Sequence, residues 1–305
     1  MLRAAFAAFD ELELSWRFVA RIAGPAGSGI IGSDAMVASE HIAAARRALG
    51  QLGFLQPRAH GRRMRSLLVA YDQSSGTWVQ LGLRSEPALT SRNSRGGVAL
   101  RVRERTRRLA DRLSGTVRRR GIAVALLGPD GAGKSTVAAA VGAGFYFPAD
   151  YVYMGLYQAG VMARRGPWRP PGAGLAAALA RQWHRWLRSQ YLRTRGRLVL
   201  FDRYTYDALL PAGRPLSRLA RIRRVVLARA CPRPTLVVVL DAPGDVLYER
   251  KGEHDVILLE RQRRRFLELA QTLPACVVVD AAQDAESVAR EVTAQIWRVY
   301  ANRWA

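Results

Sequence analysis

The sequence predicts an α/β protein, with a doubly wound parallel sheet in its C-terminal part and a smaller α/β domain before it. Two observations predict this class. From residue 121 onward, apolar strand-like runs alternate with helical stretches, which is typical of a parallel sheet covered by helices. The first run, Ile122 to Leu127, leads into a glycine-rich turn and a helix start. Ligands of such sheets bind at the carboxyl ends of the strands, so we expect the functional site there.

Composition limits what the chain can be. Of its 305 residues, 49% are hydrophobic and 24% are charged, which is enough apolar surface for a globular core. The formal net charge is +24, and Lys134 and Lys251 are the only lysines among 48 basic residues. Such a charge attracts polyanions, but near-total use of arginine is also typical of coding bias. Nucleic acid is therefore the less favoured partner.

The sequence does not predict export or membrane insertion. Residues 1–14 carry three acidic side chains and lack the long apolar run of a secretory signal. No uncharged apolar stretch approaches the roughly 18 residues of a membrane span. Cys231 and Cys276 lack paired spacing and adjoin apolar strands, so we expect reduced core thiols. The expected location is the cytoplasm.

Residues 1–95 are predicted to form the smaller domain. Its elements are, in order, a helix at 2–14, strands at 16–22 and 30–37, a helix at 40–52, and a strand hairpin at 67–71 and 77–83. Residues 96–120 are predicted to link this domain to the next. Nine arginines lie between 101 and 120, so the segment is either a solvated linker or a clamp for an anionic partner.

The smaller domain resembles nucleotidyltransferase-like domains. The resemblance rests on the order of its elements, on Leu52-Gly53-Phe54 closing the second helix, and on a hairpin with Tyr71-Asp72. Those enzymes hold two Mg²⁺ ions with an Asp-x-Asp pair and a third carboxylate. Asp34 stands at the second Asp, but Gly32 stands at the first and Gly82 at the third. The resemblance therefore implies an inactive domain.

The main domain, residues 121–305, is organised around one segment. It reads Gly128-Pro129-Asp130-Gly131-Ala132-Gly133-Lys134-Ser135-Thr136 and fits the phosphate-loop pattern G-x-x-x-x-G-K-[ST]. Glycines allow φ angles that turn backbone N–H groups toward a phosphate, and the helix N-terminus adds positive potential. Lys134 is predicted to neutralise the β- and γ-phosphates, and Ser135 to offer its hydroxyl to Mg²⁺. We expect the whole segment to bind ATP.

The rest of the main domain follows in order. We expect strands at 149–156, 197–201, 235–240 and 276–279, a long helix at 174–193, a basic helix at 216–230 and a last helix at 286–304. A basic, proline-rich loop at 164–171 precedes the long helix. Three of the strands end in an aspartate, which are Asp202, Asp241 and Asp280. These aspartates should lie at the carboxyl edge of the sheet.

Several motifs of this domain are similar to those of thymidylate kinases and the wider nucleoside-monophosphate kinase group. They are the phosphate loop, Phe-Asp-Arg-Tyr at 201–204, Leu-Asp-Ala-Pro at 240–243, Tyr-Glu-Arg-Lys-Gly-Glu at 248–253 and Val-Val-Asp-Ala at 278–281. The resemblance implies a P-loop kinase fold with ATP and Mg²⁺ as cofactors. It also implies phosphoryl transfer to a nucleoside monophosphate or a similar phosphorylated acceptor.

The resemblance assigns roles to single residues. Arg203 would bind the acceptor's phosphate, with Asp130 on the acceptor's sugar and Tyr204 beside them. Arg250 and Lys251 stand where the lid of these kinases closes over the transferring phosphoryl group.

The Mg²⁺ ligand is open between two aspartates. Asp202, acting with Ser135, is favoured because it adjoins the phosphate-seeking Arg203. Asp241 competes because it also ends an apolar strand.

The acceptor pocket departs from the resembled kinases. Met154 to Gln158 stands where they carry Arg-Glu-Pro-Gly-Gly, and Thr205 to Leu209 replaces their Ala-Tyr-Gln run, which disfavours thymidylate. Three functions stay open: a kinase acting on a phosphorylated or hydroxyl-bearing small molecule, an NTP-binding regulator, and a nucleic-acid-stimulated ATPase. The Asp202-Arg203 pair and the short lid favour the kinase. A homodimer is compatible with each of the three functions.

Overall fold

The computed structural model describes residues 1–23, 30–56, 67–85, 121–155, 173–210, 217–252 and 255–304. The Arg-rich linker predicted at 96–120 and the loop predicted at 164–171 lie outside the described residues. The chain divides into two compact units, Met1–Arg120 with Trp297–Ala305, and Gly121–Ile296. None of the described helices is long and apolar enough to cross a membrane.

Within its described residues up to 85, the N-terminal unit contains a four-stranded sheet and two helices. Its elements are α1 (Leu2–Glu11), β1 (Trp16–Ala23), β2 (Ile30–Val37), α2 (Ile42–Gln51), β3 (Leu67–Asp72) and β4 (Thr77–Ser85). The strand order is β1-β2-β4-β3, in which β2 and β4 run parallel and the other neighbours run antiparallel. The core of this unit contains Phe9 of α1, Leu49 of α2 and Phe54, which follows α2, and all three are buried. The predicted elements of this domain are confirmed.

The second unit contains a five-stranded parallel sheet. Its elements are β5 (Ala123–Leu127), α3 (Lys134–Gly144), β6 (Ala149–Tyr153), α4 (Ala173–Thr194), β7 (Leu198–Asp202), α5 (Arg218–Ala228), β8 (Leu236–Asp241), α6 (Gly244–Lys251), α7 (Val256–Thr272), β9 (Cys276–Asp280) and the first part of α8 (Ala285–Trp304). The residues of α8 from Trp297 onward belong to the first unit. The strand order is β6-β7-β5-β8-β9. A short 3₁₀ helix, Thr205–Leu209, follows β7. The predicted α/β class with a parallel sheet is confirmed.

The three central strands of the sheet, β5, β7 and β8, are buried because they are apolar on both faces. Every residue of β5 and β7 is buried, as expected for the central strands of a parallel sheet. Register places Leu126 of β5 beside Asp202 of β7, and Asp241 of β8 beside Asp280 of β9. The carboxyl edge of the sheet therefore carries the turn after β5 and the three predicted aspartates.

Both cysteines belong to this apolar interior. Cys231 is buried in the main core cluster, and the half-buried Cys276 packs against that cluster. Both thiols are free, and burial raises the pKa of each to about 11. The prediction of core thiols is confirmed.

Two glycines of this unit should respond oppositely to an added methyl group. A Cβ on Gly121 would lie 1.9 Å from the carbonyl oxygen of Arg197, whereas a Cβ on Gly142, within α3, would meet only Ala149 at 3.8 Å. We expect Gly121→Ala to lower the free energy of unfolding by about 1–3 kcal/mol through this clash. Gly142→Ala should raise it by about 0.5–1 kcal/mol, because alanine loses less entropy in a helix. Denaturant titration of both variants tests the packing, and equal effects would contradict it.

Candidate functional site

The turn after β5 needs glycine at defined positions. Gly128, Gly131 and Gly133 have φ angles of 143°, 88° and 80°, which side-chain-bearing residues rarely adopt. A Cβ at Gly128 or Gly131 would also lie 2.7 Å from a backbone carbonyl oxygen, that of Leu240 or Leu247. The loop backbone is therefore pressed against β8 and α6, and the loop needs glycine at these two positions.

Lys134 is the first residue of α3, and its ammonium lies inside the loop. The side chain is 8% exposed, and Nζ donates to the carbonyls of Gly128 at 3.0 Å and Pro129 at 2.7 Å. Burial, and then the charge of Arg203, lower the pKa of Lys134 to about 8. A buried cation beside a second cation is a site in which an anion such as phosphate is stabilised.

Arg203 follows β7 and is held between two carboxylates. Its backbone has a φ of 63° and its N–H donates to the carbonyl of Leu126 at 3.0 Å, which places the residue beside β5. The guanidinium pairs with Asp130 of the loop and with Asp207 at 3.4 Å. Burial opposes the charged form, but the two carboxylates outweigh it and raise the pKa of Arg203. The predicted acceptor residues Arg203 and Asp130 are therefore brought together.

Asp202, the last residue of β7, has one oxygen available. The side chain is buried, Oδ2 accepts a hydrogen bond from the Tyr151 hydroxyl, and no donor among the described residues reaches the buried Oδ1. Partial burial and this hydrogen bond raise the pKa of Tyr151. A carboxylate oxygen without a donor fits a hard cation such as Mg²⁺.

Asp241 is occupied by a different partner. Arg263 of α7 binds it with two parallel bonds, from Nε to Oδ1 at 2.6 Å and from Nη2 to Oδ2 at 3.0 Å. These hydrogen bonds are the main cause that raises the pKa of Arg263. Of the two candidate metal ligands, the geometry therefore favours Asp202.

A metal at this position would not have an all-protein cage. Within the described ranges, no group of three or more His, Cys, Asp or Glu side chains could hold a metal ion. Mg²⁺ is commonly held by one or two protein ligands together with substrate phosphates, so Asp202 and the exposed Ser135 fit that pattern.

Asp207 is a site residue that the sequence interpretation missed. It lies in the 3₁₀ helix after β7 with a side chain 9% exposed, and Oδ1 has no donor among the described residues. Burial raises the pKa of Asp207, and Arg203 opposes that shift. The charges of Asp130, Asp202 and Asp207 all act on the Lys134 ammonium. The one sequence feature that could have indicated Asp207 is its position shortly after Asp202-Arg203-Tyr204.

Two predicted roles need correction. Tyr204 is fully buried in the core, and its hydroxyl donates to the carbonyl of Pro232, so its side chain is not available to an acceptor. Arg250 lies in the last turn of α6, and its guanidinium donates to the carbonyls of Ala281 at 2.7 Å and Gln283 at 3.2 Å. It therefore connects α6 to the loop after β9 instead of serving as a lid cation. Lys251, the last residue of α6, is exposed.

Comparisons with known proteins give a structural neighbour. No family model matches the chain. The chain is similar to a thymidylate kinase from Candida albicans, with 19% sequence identity and a TM-score of 0.44 over 60% of this chain and 92% of that one. That structure was described as revealing the origin of broad substrate specificity and a novel structural element.

The two aspartates should differ in their effect on stability without ligand. Asp241→Asn weakens a charged, two-bond pair, and we expect it to lower the free energy of unfolding by about 1–3 kcal/mol. Asp202→Asn removes a buried charge that lacks a donor on one oxygen, so it should leave stability unchanged or raise it. Thermal unfolding of both variants measures this. A larger loss in Asp202→Asn would contradict the assignment of Asp202 as the available carboxylate.

Proposed function

We propose that the chain is an ATP- and Mg²⁺-dependent phosphotransferase of the P-loop kinase type. The observation that carries this proposal is the pairing of two features at one sheet edge. A glycine loop holds the buried Lys134 ammonium, and the neighbouring strand ends in Asp202, whose Oδ1 lacks a donor among the described residues. The first feature fits the phosphates of a nucleoside triphosphate, and the second fits their metal ion.

Each residue then has a defined task. Backbone N–H groups of residues 130–136 and the Lys134 ammonium bind the β- and γ-phosphates, while Asp202 and Ser135 hold Mg²⁺, which neutralises phosphate charge when bound. An acceptor oxygen attacks the γ-phosphorus as the bond to the bridging oxygen of ADP breaks. Arg203, beside the loop, is placed to stabilise the charge on the transferring group.

The resemblance to nucleoside-monophosphate kinases implies a phosphorylated acceptor. In this structure such a phosphate would compete with Asp130 and Asp207 for the Arg203 guanidinium. An uncharged hydroxyl acceptor would leave those pairs intact. Nucleoside monophosphates, sugar phosphates and neutral sugars therefore belong in one acceptor panel.

Coupled ATP consumption with that panel tests the proposed reaction. We expect Lys134→Ala to lower kcat by about a hundredfold or more, because one preorganised cation at the transferring group contributes that much. Without metal, Asp202→Asn should bind ATP as tightly as the wild type does. With Mg²⁺, the wild type should bind ATP more tightly, and Asp202→Asn should not. Asp10→Asn on α1, an exposed aspartate of the other unit, is the control and should match the wild type. Absence of Mg²⁺-dependent ATP binding in the wild type would contradict the proposal.

Binding without turnover would favour the regulatory alternative. One observation supports it, since the predicted cations Arg203 and Arg250 already have partners within the protein. Hydrolysis stimulated by nucleic acid would favour the ATPase alternative.

We further propose that the N-terminal unit is a catalytically inactive nucleotidyltransferase-like domain. Asp34 of β2 is 7% exposed and pairs with Arg84 at 2.5 Å. Its register partner on β4 is Gly82, where a Cβ would lie 2.0 Å from Asp34 Oδ1. The carboxylate thus occupies the space of a third acidic side chain, and its charge is neutralised by arginine.

The full chain should therefore release no pyrophosphate from nucleoside triphosphates by nucleotidyl transfer. Asp34→Ala should leave that background unchanged, because one neutralised carboxylate cannot hold two Mg²⁺ ions. Pyrophosphate release with Mg²⁺ and a panel of acceptors measures this. Activity that Asp34→Ala abolishes would overturn the proposal.

A further inference from the structure

Helix α5, Arg218–Ala228, leaves most of its surface uncovered. Leu227 and Ala228 are its only buried residues, and Arg224 anchors it by donating to the carbonyls of Ala208 and Leu210. Four aliphatic side chains remain exposed, by 79% in Leu219, 60% in Ile222, 43% in Val225 and 40% in Val226. We call these four residues the aliphatic patch.

The patch lies on one face of the helix and has arginines around it. At about 100° per residue, Leu219, Ile222, Val225 and Val226 fall on one side of the helix axis. Arg221 and Arg223 then lie on either side of this stripe, with Arg218 and Arg229 at its two ends. All four arginines are exposed, and no carboxylate among the described residues pairs with any of them.

The arginines and the aliphatic patch of α5 together limit which kind of partner can bind this face. The helix contains no acidic residue, so its surface fits an anionic partner. Nucleic acid would pair with the arginines, but protein surfaces that bind it are polar, and four aliphatic side chains offer its bases neither stacking nor hydrogen bonds. A two-fold contact with a second copy would bring the arginines of one α5 against those of the other.

An anionic lipid surface accepts both parts of this face. Aliphatic side chains enter the boundary between headgroups and acyl chains, while arginines at the rim reach lipid phosphates with their long side chains. The +24 net charge of the chain adds long-range attraction to such a surface.

We propose that α5 docks the protein on an anionic lipid bilayer, as a peripheral contact made by the aliphatic patch and the four arginines. This contact is independent of the phosphotransferase proposal, because it uses none of the residues assigned to the nucleotide site.

Cosedimentation of the full chain with lipid vesicles tests the proposal. The wild type should bind vesicles of phosphatidylcholine mixed with phosphatidylglycerol, and bind pure phosphatidylcholine much more weakly. Leu219→Gln with Ile222→Gln should lower the partition coefficient by about tenfold or more, since two apolar side chains leave the lipid boundary. Arg221→Gln with Arg223→Gln should weaken binding to the anionic vesicles and reduce its salt dependence.

Ile257→Gln with Leu258→Gln, at the start of α7, is the matched control. These residues are exposed by 69% and 37%, and the change should leave vesicle binding as in the wild type. All altered side chains are exposed, so we expect each variant to unfold at nearly the same temperature as the wild type. Thermal unfolding therefore checks that each variant is folded.

Three kinds of result would overturn the proposal. The first is a wild type that shows no preference for anionic vesicles, or equal binding by the wild type and the Leu219/Ile222 variant. The second is self-association of the wild type that the same variant loses, which would assign the patch to a second copy. The third is affinity for single-stranded or double-stranded nucleic acid that the same variant loses.

Discussion

The site depends on the burial of one ammonium group. Lys134 lies in a loop whose backbone is pressed against β8 and α6, and it donates to two carbonyls of that loop. Burial lowers the pKa of Lys134 to about 8, because desolvation costs free energy in the charged form. A bound polyphosphate would remove that cost, so the loop is preorganised for an anion.

Around Arg203 the imbalance is of the opposite sign, because three carboxylates, those of Asp130, Asp202 and Asp207, lie near this one arginine. Asp130 and Asp207 share one guanidinium, that of Arg203, and Asp202 keeps a buried oxygen without a donor in the described parts of the chain. Buried carboxylates with incomplete pairing are destabilising, and such groups concentrate where a ligand completes them. A divalent cation and an acceptor hydroxyl are the two kinds of group that would satisfy these oxygens. Asp130 also pairs with Lys134 at 3.9 Å, so the carboxylates and the buried ammonium meet within the loop.

Sequence patterns were sufficient wherever a local rule governs the structure. The positions and φ angles of Gly128 and Gly131 follow from the loop motif, and the order of strands and helices follows from apolar periodicity. Partners distant in sequence could not be read in this way. Asp241 and Arg263 are 22 residues apart, and only the docking of α7 shows that they bind each other. The same holds for Arg250 and the carbonyls that follow β9.

Backbone geometry explains the remaining error. Arg203 has a left-handed φ of 63°, which breaks the alternation of a strand, so the pattern could not show that Tyr204 enters the core. Asp207 was missed because no sequence motif predicts the 3₁₀ helix that places its carboxylate next to the Arg203 guanidinium.

The most direct test of the phosphate site uses the two lysines of the chain. An ATP acyl-phosphate probe acylates amines near the terminal phosphates, and mass spectrometry of the digested protein can assign the label to Lys134 or Lys251. The structure predicts labelling of Lys134 that excess ATP with Mg²⁺ suppresses. Labelling of Lys251 alone, or of neither lysine, would contradict the assignment of the loop as the nucleotide site.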